Sequence, residues 1–214
     1  MKKNKKQLFI SIIFIIFFII WTLLVKFINV LPIGPNSSKV GLAFFNKFFH
    51  NLVGVNMLIY KITDWLGLIP LIFILIFSII GLIQWIKRRN LLKVDYSILI
   101  LGAYYIVVII VYIMFELISI NYRPVLINGN LEISYPSSTT MLVLLVMPTV
   151  NYELSKHTTN KGLKKLLKVS ITIFCLLMIF GRILSGVHWI TDIIGGILIS
   201  IGLIYLYKYI INLK

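Results

Sequence analysis

The sequence predicts an all-α, polytopic membrane protein: one domain of 214 residues built as a six-transmembrane-helix bundle. Three observations lead there. Hydrophobic residues make up 60% of the chain and the mean hydropathy is +1.02, above the apolar content of ordinary soluble domains. The apolar residues gather into runs that approach the ~20 positions a helix needs to cross the hydrocarbon core. Lysines and arginines fall between alternate runs, which is the pattern that sets orientation in a membrane.

The first run, Leu8–Leu31, follows Met1-Lys2-Lys3-Asn4-Lys5-Lys6. A positive start resembles a signal peptide, but the stretch is too long and lacks a small-residue cleavage site, so it reads as a retained helix. The longest non-spanning segment, 32–64, opens on Pro32-Ile33-Gly34-Pro35-Asn36-Ser37-Ser38, which is turn chemistry. Val40, Phe44, Phe48 and Leu52 then recur at helical spacing and predict an amphipathic helix on the membrane interface. Asp64 reads as the N-cap of a second span, Trp65–Ile86. The third span is Tyr96–Ile118. The fourth, Thr139–Leu154, is the weakest, being short and interrupted by Pro148. Val169–Ser185 and Trp189–Ile211 complete the six, and Gly195, Gly196 and Gly202 in the last predict close helix packing. Asn128-Gly129 marks a turn between the third and fourth spans. Trp65, Tyr122, Tyr135 and Trp189 stand at predicted helix ends, where an aromatic belt is expected. The single Cys175 excludes an intrachain disulfide.

A net charge of +15 invites a nucleic-acid partner, and its distribution argues against one. Lys2, Lys3, Lys5 and Lys6 precede the first span; Lys87, Arg88, Arg89 and Lys93 follow the second. Lys156, Lys161, Lys164, Lys165 and Lys168 follow the fourth, and Lys208 and Lys214 close the sixth. These alternate segments belong on one side, the cytoplasm, together with both termini. Lys26, Lys39, Lys47, Lys61, Arg123 and Arg182 remain for the opposite side or the helix ends near it.

One outer turn breaks the hydrocarbon character: Gly181-Arg182-Ile183-Leu184-Ser185-Gly186-Val187-His188-Trp189-Ile190-Thr191-Asp192. Ionisable side chains at membrane depth are costly and mark functional sites. In a helix, His188 and Asp192 stand one turn apart on one face. A carboxylate there holds one imidazole nitrogen and leaves the other free to attack or to accept a proton. Arg123-Pro124 and Pro136-Ser137-Ser138-Thr139, each at an outer helix end, complete a pattern.

From Glu116 to the C-terminus the chain resembles the type 2 phosphatidic acid phosphatase family, membrane relatives of the vanadium haloperoxidases. That family carries Lys, six residues and Arg-Pro; then Pro-Ser-Gly-His; then Ser-Arg, five residues, His, three residues, Asp. Here Arg182, His188 and Asp192 match the third motif, with Gly181 in place of its Ser. Arg123 and Pro124 match the first, with Glu116 where the Lys belongs. Pro136 and Ser137 match the second, with Thr139 at the general-acid His position. The resemblance implies a multi-pass plasma-membrane hydrolase that acts on a phosphorylated lipid at the extracytoplasmic face. His188 is then the nucleophile that forms a phosphohistidine, and Asp192 orients it. Arg123 and Arg182 hold the phosphoryl oxygens, helped by Ser137 and by backbone amides near Ser138 at a helix N-terminus. No metal or other cofactor is implied, because the arginines supply the positive charge.

The departures bear on the substrate. A threonine hydroxyl is too weak an acid to protonate a departing alkoxide, a service worth about 10²–10⁴-fold. A leaving group that is itself a phosphate ester needs little help, so the sequence favours a lipid diphosphate such as a polyprenyl diphosphate over a phosphatidate-type monoester. His50 and Glu116 are other candidate proton donors, although Glu116 also reads as a structural partner of Arg123 and His50 as an interface residue. A lipid phosphotransferase, or a weakened relative that binds or moves a lipid phosphate, are the alternatives.

Overall fold

The computed structural model describes residues 2–213; Met1 and Lys214, and the side chains of Lys2 and Lys3, lie outside that description. Eight α-helices run through the described residues: α1 (Lys2–Phe27), α2 (Ala43–Val53), α3 (Met57–Leu66), α4 (Ile69–Arg88), α5 (Tyr96–Leu117), α6 (Ser138–His157), α7 (Lys161–Ser185) and α8 (Ile190–Ile211). Five described stretches are long and apolar enough to cross a bilayer: Asn4–Phe27, Met57–Arg88, Tyr96–Leu117, Lys161–Ser185 and Ile190–Ile211.

α6 falls short of that criterion for a physical reason. It is the polar centre of the bundle, with Thr139, Thr140, Thr149 and Glu153 all buried. The Thr149 hydroxyl meets the Tyr105 hydroxyl at 2.9 Å, and Ser97 Oγ donates to Glu153 Oε2 at 3.2 Å. A helix walled by other helices can carry polar groups if each finds a partner. The bilayer-facing helices show the reverse pattern, with Ile106, Ile110 and Leu117 of α5 and Phe9, Phe17 and Phe27 of α1 exposed. At 20 residues α6 is about 30 Å long, the thickness of a hydrocarbon core.

Helix ends differ from the sequence reading where lysines and turns obscured them. α7 starts at Lys161, well before Val169, because Asn160 caps it by accepting from the Gly162 and Leu163 amides, and lysines are good helix formers. The expected interfacial segment 32–64 holds a tight loop and two helices. Leu31 and Val40 exchange backbone hydrogen bonds across the loop, with Asn36 and Ser37 at positive φ. Val40 is therefore buried in the loop closure, while Phe44, Phe48 and Leu52 form the exposed apolar face of α2. The N-cap of α3 is Asn56, which accepts from the Leu58 and Ile59 amides; Asp64 lies inside the helix and caps nothing. Only Gly67 and Leu68 separate α3 from α4, so the second span begins at Met57.

α1 packs along α8, where a Cβ on Gly202 would stand 2.9 Å from Ile15 Cγ1. Asn4 Nδ2 donates to the Asn212 carbonyl at 2.7 Å, and the Tyr96 hydroxyl donates to the Ile210 carbonyl. Asn4, Asn212 and the start of α5 thus share one end of the bundle, the basic end. The hairpin-like connection 118–137, the α7–α8 turn and α2–α3 share the other. Asn128 and Gly129 turn that connection with both φ positive, between backbone bonds linking Ile127 and Asn130.

Candidate active site

The α7–α8 turn places His188. Gly186, at φ 64°, ends α7 in the left-handed region, and a Cβ there would strike the Gly54 carbonyl. Asp192 lies in the first turn of α8, where a carboxylate is favoured by the helix dipole. Its Oδ2 accepts from the Trp189 amide at 3.0 Å and its Oδ1 from Asn121 Nδ2 at 3.2 Å. The carboxylate is thus held from two directions, with Oδ2 3.7 Å from His188 Nδ1.

The other imidazole nitrogen faces two cations. Arg123 Nη1 stands 2.9 Å and Arg182 Nη2 3.3 Å from His188 Nε2. Guanidinium only donates, so Nε2 is the acceptor and the ring proton sits on Nδ1, toward Asp192. Burial, then the Arg123 and Arg182 charges, hold the His188 pKa well below the ordinary imidazole range. The neutral ring therefore presents a lone pair to two arginines, while its Nδ1 is buried without a hydrogen-bond partner, 3.7 Å from the carboxylate.

Each arginine has its own counter-charge. Arg123 Nε pairs with Glu132 at 2.9 Å, across a turn in which the Arg123 amide also bonds the Glu132 carbonyl. Arg182 is fully buried; Nη1 lies 3.3 Å from Thr63 Oγ1 and 3.7 Å from Asp64 Oδ1. The Tyr60 ring lies 5.1 Å from Arg182 Cζ and 5.8 Å from Arg123 Cζ. Gly181 admits this arm: a Cβ there would sit 2.6 Å from Thr63 Cγ2.

The structure thus brings Arg123, Arg182, His188 and Asp192 together. Ser138 joins them, lining with His188, Glu116 and Tyr135 a cavity of about 10 Å³, room for about one water-sized sphere. Ser138 is the first residue of α6, whose first amides have no intrahelical partner. The Ser137 amide donates to the Asp192 carbonyl, and its hydroxyl lies 3.0 Å from the Thr140 hydroxyl. Thr139 turns its methyl toward Gly67. Glu116 is exposed at the cavity and is not the partner of Arg123; the chain doubles back and delivers Glu132 instead. His50 lines a second cavity of about 10 Å³ with His188, packs 5.3 Å from the Trp189 ring, and has its pKa lowered by burial. Trp189 and Tyr135 are buried rather than belt residues: the indole donates to the Tyr122 carbonyl and the phenol meets Thr22.

Tyr60, Thr63, Asp64, Asn121 and Glu132 escape sequence reasoning. Tyr60, Thr63 and Asp64 share one helix face by their spacing, but nothing local says which arginine they meet. Two larger cavities, about 370 Å³ between α4 and α5 and about 460 Å³ beside Lys156 and Lys208, lie toward the basic end and hold none of these residues. Among the described residues, no three His, Cys, Asp or Glu side chains converge to hold a metal.

The model of the PAP2 superfamily matches residues 98–214, which contain the histidine, its carboxylate and both arginines. The chain belongs to the PAP2 superfamily. No curated protein matches it. Among solved structures it is similar to the crystal structure of the first transmembrane PAP2 type phosphatidylglycerolphosphate phosphatase from Bacillus subtilis. That match has a TM-score of 0.61 and 21% identity, and covers 96% of this chain and 98% of the other. At that identity the likeness is one of fold: a multi-pass, all-helical PAP2 membrane architecture.

Proposed function

We propose that the protein is a metal-independent membrane phosphatase that removes a phosphoryl group from a lipid through a phosphohistidine on His188. The observation that carries this reading is the pair of guanidinium groups donating to one imidazole nitrogen while the other nitrogen faces a buried carboxylate. A phosphoryl group takes the place between Nε2 and the arginines. Arg123 and Arg182 draw off Nε2 onto its oxygens, freeing the lone pair and stabilising the charge of the transition state. The Nε2–P bond forms as the bond from phosphorus to the leaving oxygen breaks, and Asp192 offsets the positive charge on the ring. Water then attacks phosphorus, the P–N bond breaks, and dihydrogen phosphate leaves with His188 again neutral on Nδ1.

The favoured substrate is a lipid diphosphate. Thr139 offers no proton to a departing alkoxide, whereas a lipid monophosphate leaves as a stable anion. With α6 taken as a sixth, central span, the lysines and arginines at the basic end support cytoplasmic termini and a site at the extracytoplasmic face.

Phosphate release by the purified protein in detergent with chelator tests the reading. Polyprenyl diphosphate, phosphatidic acid and phosphatidylglycerol phosphate are compared for wild type and His188→Ala. Release that disappears in the mutant, with a ³²P-labelled, acid-labile adduct on the wild-type chain, is the expected result. Lipid binding without release or adduct would make the protein a binder, and transfer to an added acceptor would make it a phosphotransferase.

A further inference from the structure

Both guanidinium groups reach for the same atom, each with a nitrogen within 3.3 Å of His188 Nε2. Two like charges so close repel, and the protein must hold them there without consuming their capacity to bind an anion. Glu132 and Asp64 offset part of the repulsion, but a carboxylate on each arginine also competes with any incoming phosphate. Both carboxylates are partly exposed, at 41% and 56% of their side chains, so water weakens their hold.

The third group is different. One aromatic ring, Tyr60, stands within 6 Å of both guanidinium carbons. A ring quadrupole attracts cations yet brings no net charge. It lowers the cost of two adjacent arginines while leaving their hydrogen-bonding edges available to an anion. The ring is also well fixed. α3 is tied to the end of α7 by the Asn56 amide donating to the Ser185 carbonyl, and by Thr63 in the space that Gly181 leaves. Tyr60, Thr63 and Asp64 follow at i, i+3 and i+4, one face of α3, and all three meet Arg182.

We infer that this face of α3 positions the phosphate-binding arginine pair, and that Tyr60 is the positioning residue shared by both arginines. α3 precedes the region matched by the superfamily model. The N-terminal part of the chain therefore completes the anion site and does more than span and cover. The inference rests on the reading of the pair as a phosphate site.

Orthovanadate, a tetrahedral anion, is the probe, and calorimetric titration into the purified full chain needs no lipid. Tyr60→Leu should weaken vanadate binding about tenfold, while Tyr60→Phe, which keeps the ring, stays within about threefold of wild type. In an Arg123→Gln background one of the two cations is gone, and Tyr60→Leu should then cost less than threefold; a general loss of fold would cost the same in both backgrounds. Equal binding by wild type and Tyr60→Leu would overturn the role of Tyr60 alone. So would equal damage from Tyr60→Phe, since the hydroxyl would then be the working group. No vanadate binding by wild type would overturn the phosphate-site reading and this inference with it.

Discussion

Replacing Asp192 by Asn removes one charge at nearly constant shape, and the structure sets the size of the effect. The carboxylate lies 3.7 Å from His188 Nδ1 and both residues are buried. When Nε2 bonds to phosphorus, the ring gains positive charge that Asp192 meets at that distance. At an effective dielectric constant of 20 the attraction is about 4 kcal/mol, or about 10³-fold in rate. The arginines are untouched, so the loss should fall on kcat, with KM and orthovanadate affinity within about threefold of wild type. Asn121→Ala should show a smaller loss, about tenfold, because it removes one donor to the carboxylate but leaves the charge. The assay is steady-state phosphate release with vanadate titration on the same preparations. A kcat for Asp192→Asn within tenfold of wild type would refute the charge argument. So would a KM that rises by the full factor while kcat is unchanged.

The missing proton donor gives a second expectation: a lipid diphosphate should turn over about 10²–10⁴ times faster than the monoester of the same lipid, and near-equal rates would refute it. Glu116→Gln and His50→Ala, scored on the monoester, should leave that gap unchanged; a further loss specific to the monoester would identify the proton source. Gly181→Ala should force α3 away from Arg182 by the Thr63 Cγ2 contact and depress vanadate affinity; adding Thr63→Ser, which deletes that methyl and keeps the acceptor for Arg182, should restore it. His188, with its pKa lowered in the folded state, binds its proton more weakly folded than unfolded, so stability should fall as pH drops below about 6.5, by about 1.4 kcal/mol per pH unit until the folded-state value is reached. Thermal unfolding of wild type against His188→Asn reads this directly: the mutant should lack that part of the acid loss, and parallel pH curves would refute it.

Arg182, His188 and Asp192 were legible because they lie close in sequence, but His188 precedes α8, whose N-cap is Trp189, so the α7–α8 turn and not a helical repeat brings it beside Asp192. Arg123 and Ser138 were legible from two short proline-containing motifs, Arg123-Pro124 in the connection after α5 and Pro136-Ser137-Ser138 at the start of α6. The partners of the arginines were not. Glu116, seven residues before Arg123, reads as its counter-charge, but its helix ends at Leu117 and it stays exposed. The chain then doubles back through Asn128-Gly129, and Glu132 arrives opposite Arg123. Asp64 beside a tryptophan-led apolar run looks like a cap, and only the packing of α3 on α7 gives it Arg182 instead. Hydropathy rates α6 weakly, since a helix walled by other helices carries buried polar side chains in place of apolar ones.

The same shielding explains why the polar scaffold of the site draws on both halves of the chain. Asn121, fully buried, donates to Asp192 and accepts from the Gly41 amide. Asn46, also fully buried, donates to the Gly41 carbonyl and the Thr191 hydroxyl, and the Thr191 amide donates back to it. A buried amide left unpaired costs about 1–3 kcal/mol, so neither asparagine is tolerable without its partner from the other half. Gly41 is held to this network because a Cβ there would strike the Val25 carbonyl, which fixes how closely the loop after α1 approaches. The loop, in turn, leads into α2 and α3, and α3 carries Tyr60 to the arginines. The region matched by the superfamily model holds His188, Asp192 and both arginines, but the buried amides that brace Asp192 and Thr191 are paired with Gly41 and Asn46, which that region does not contain.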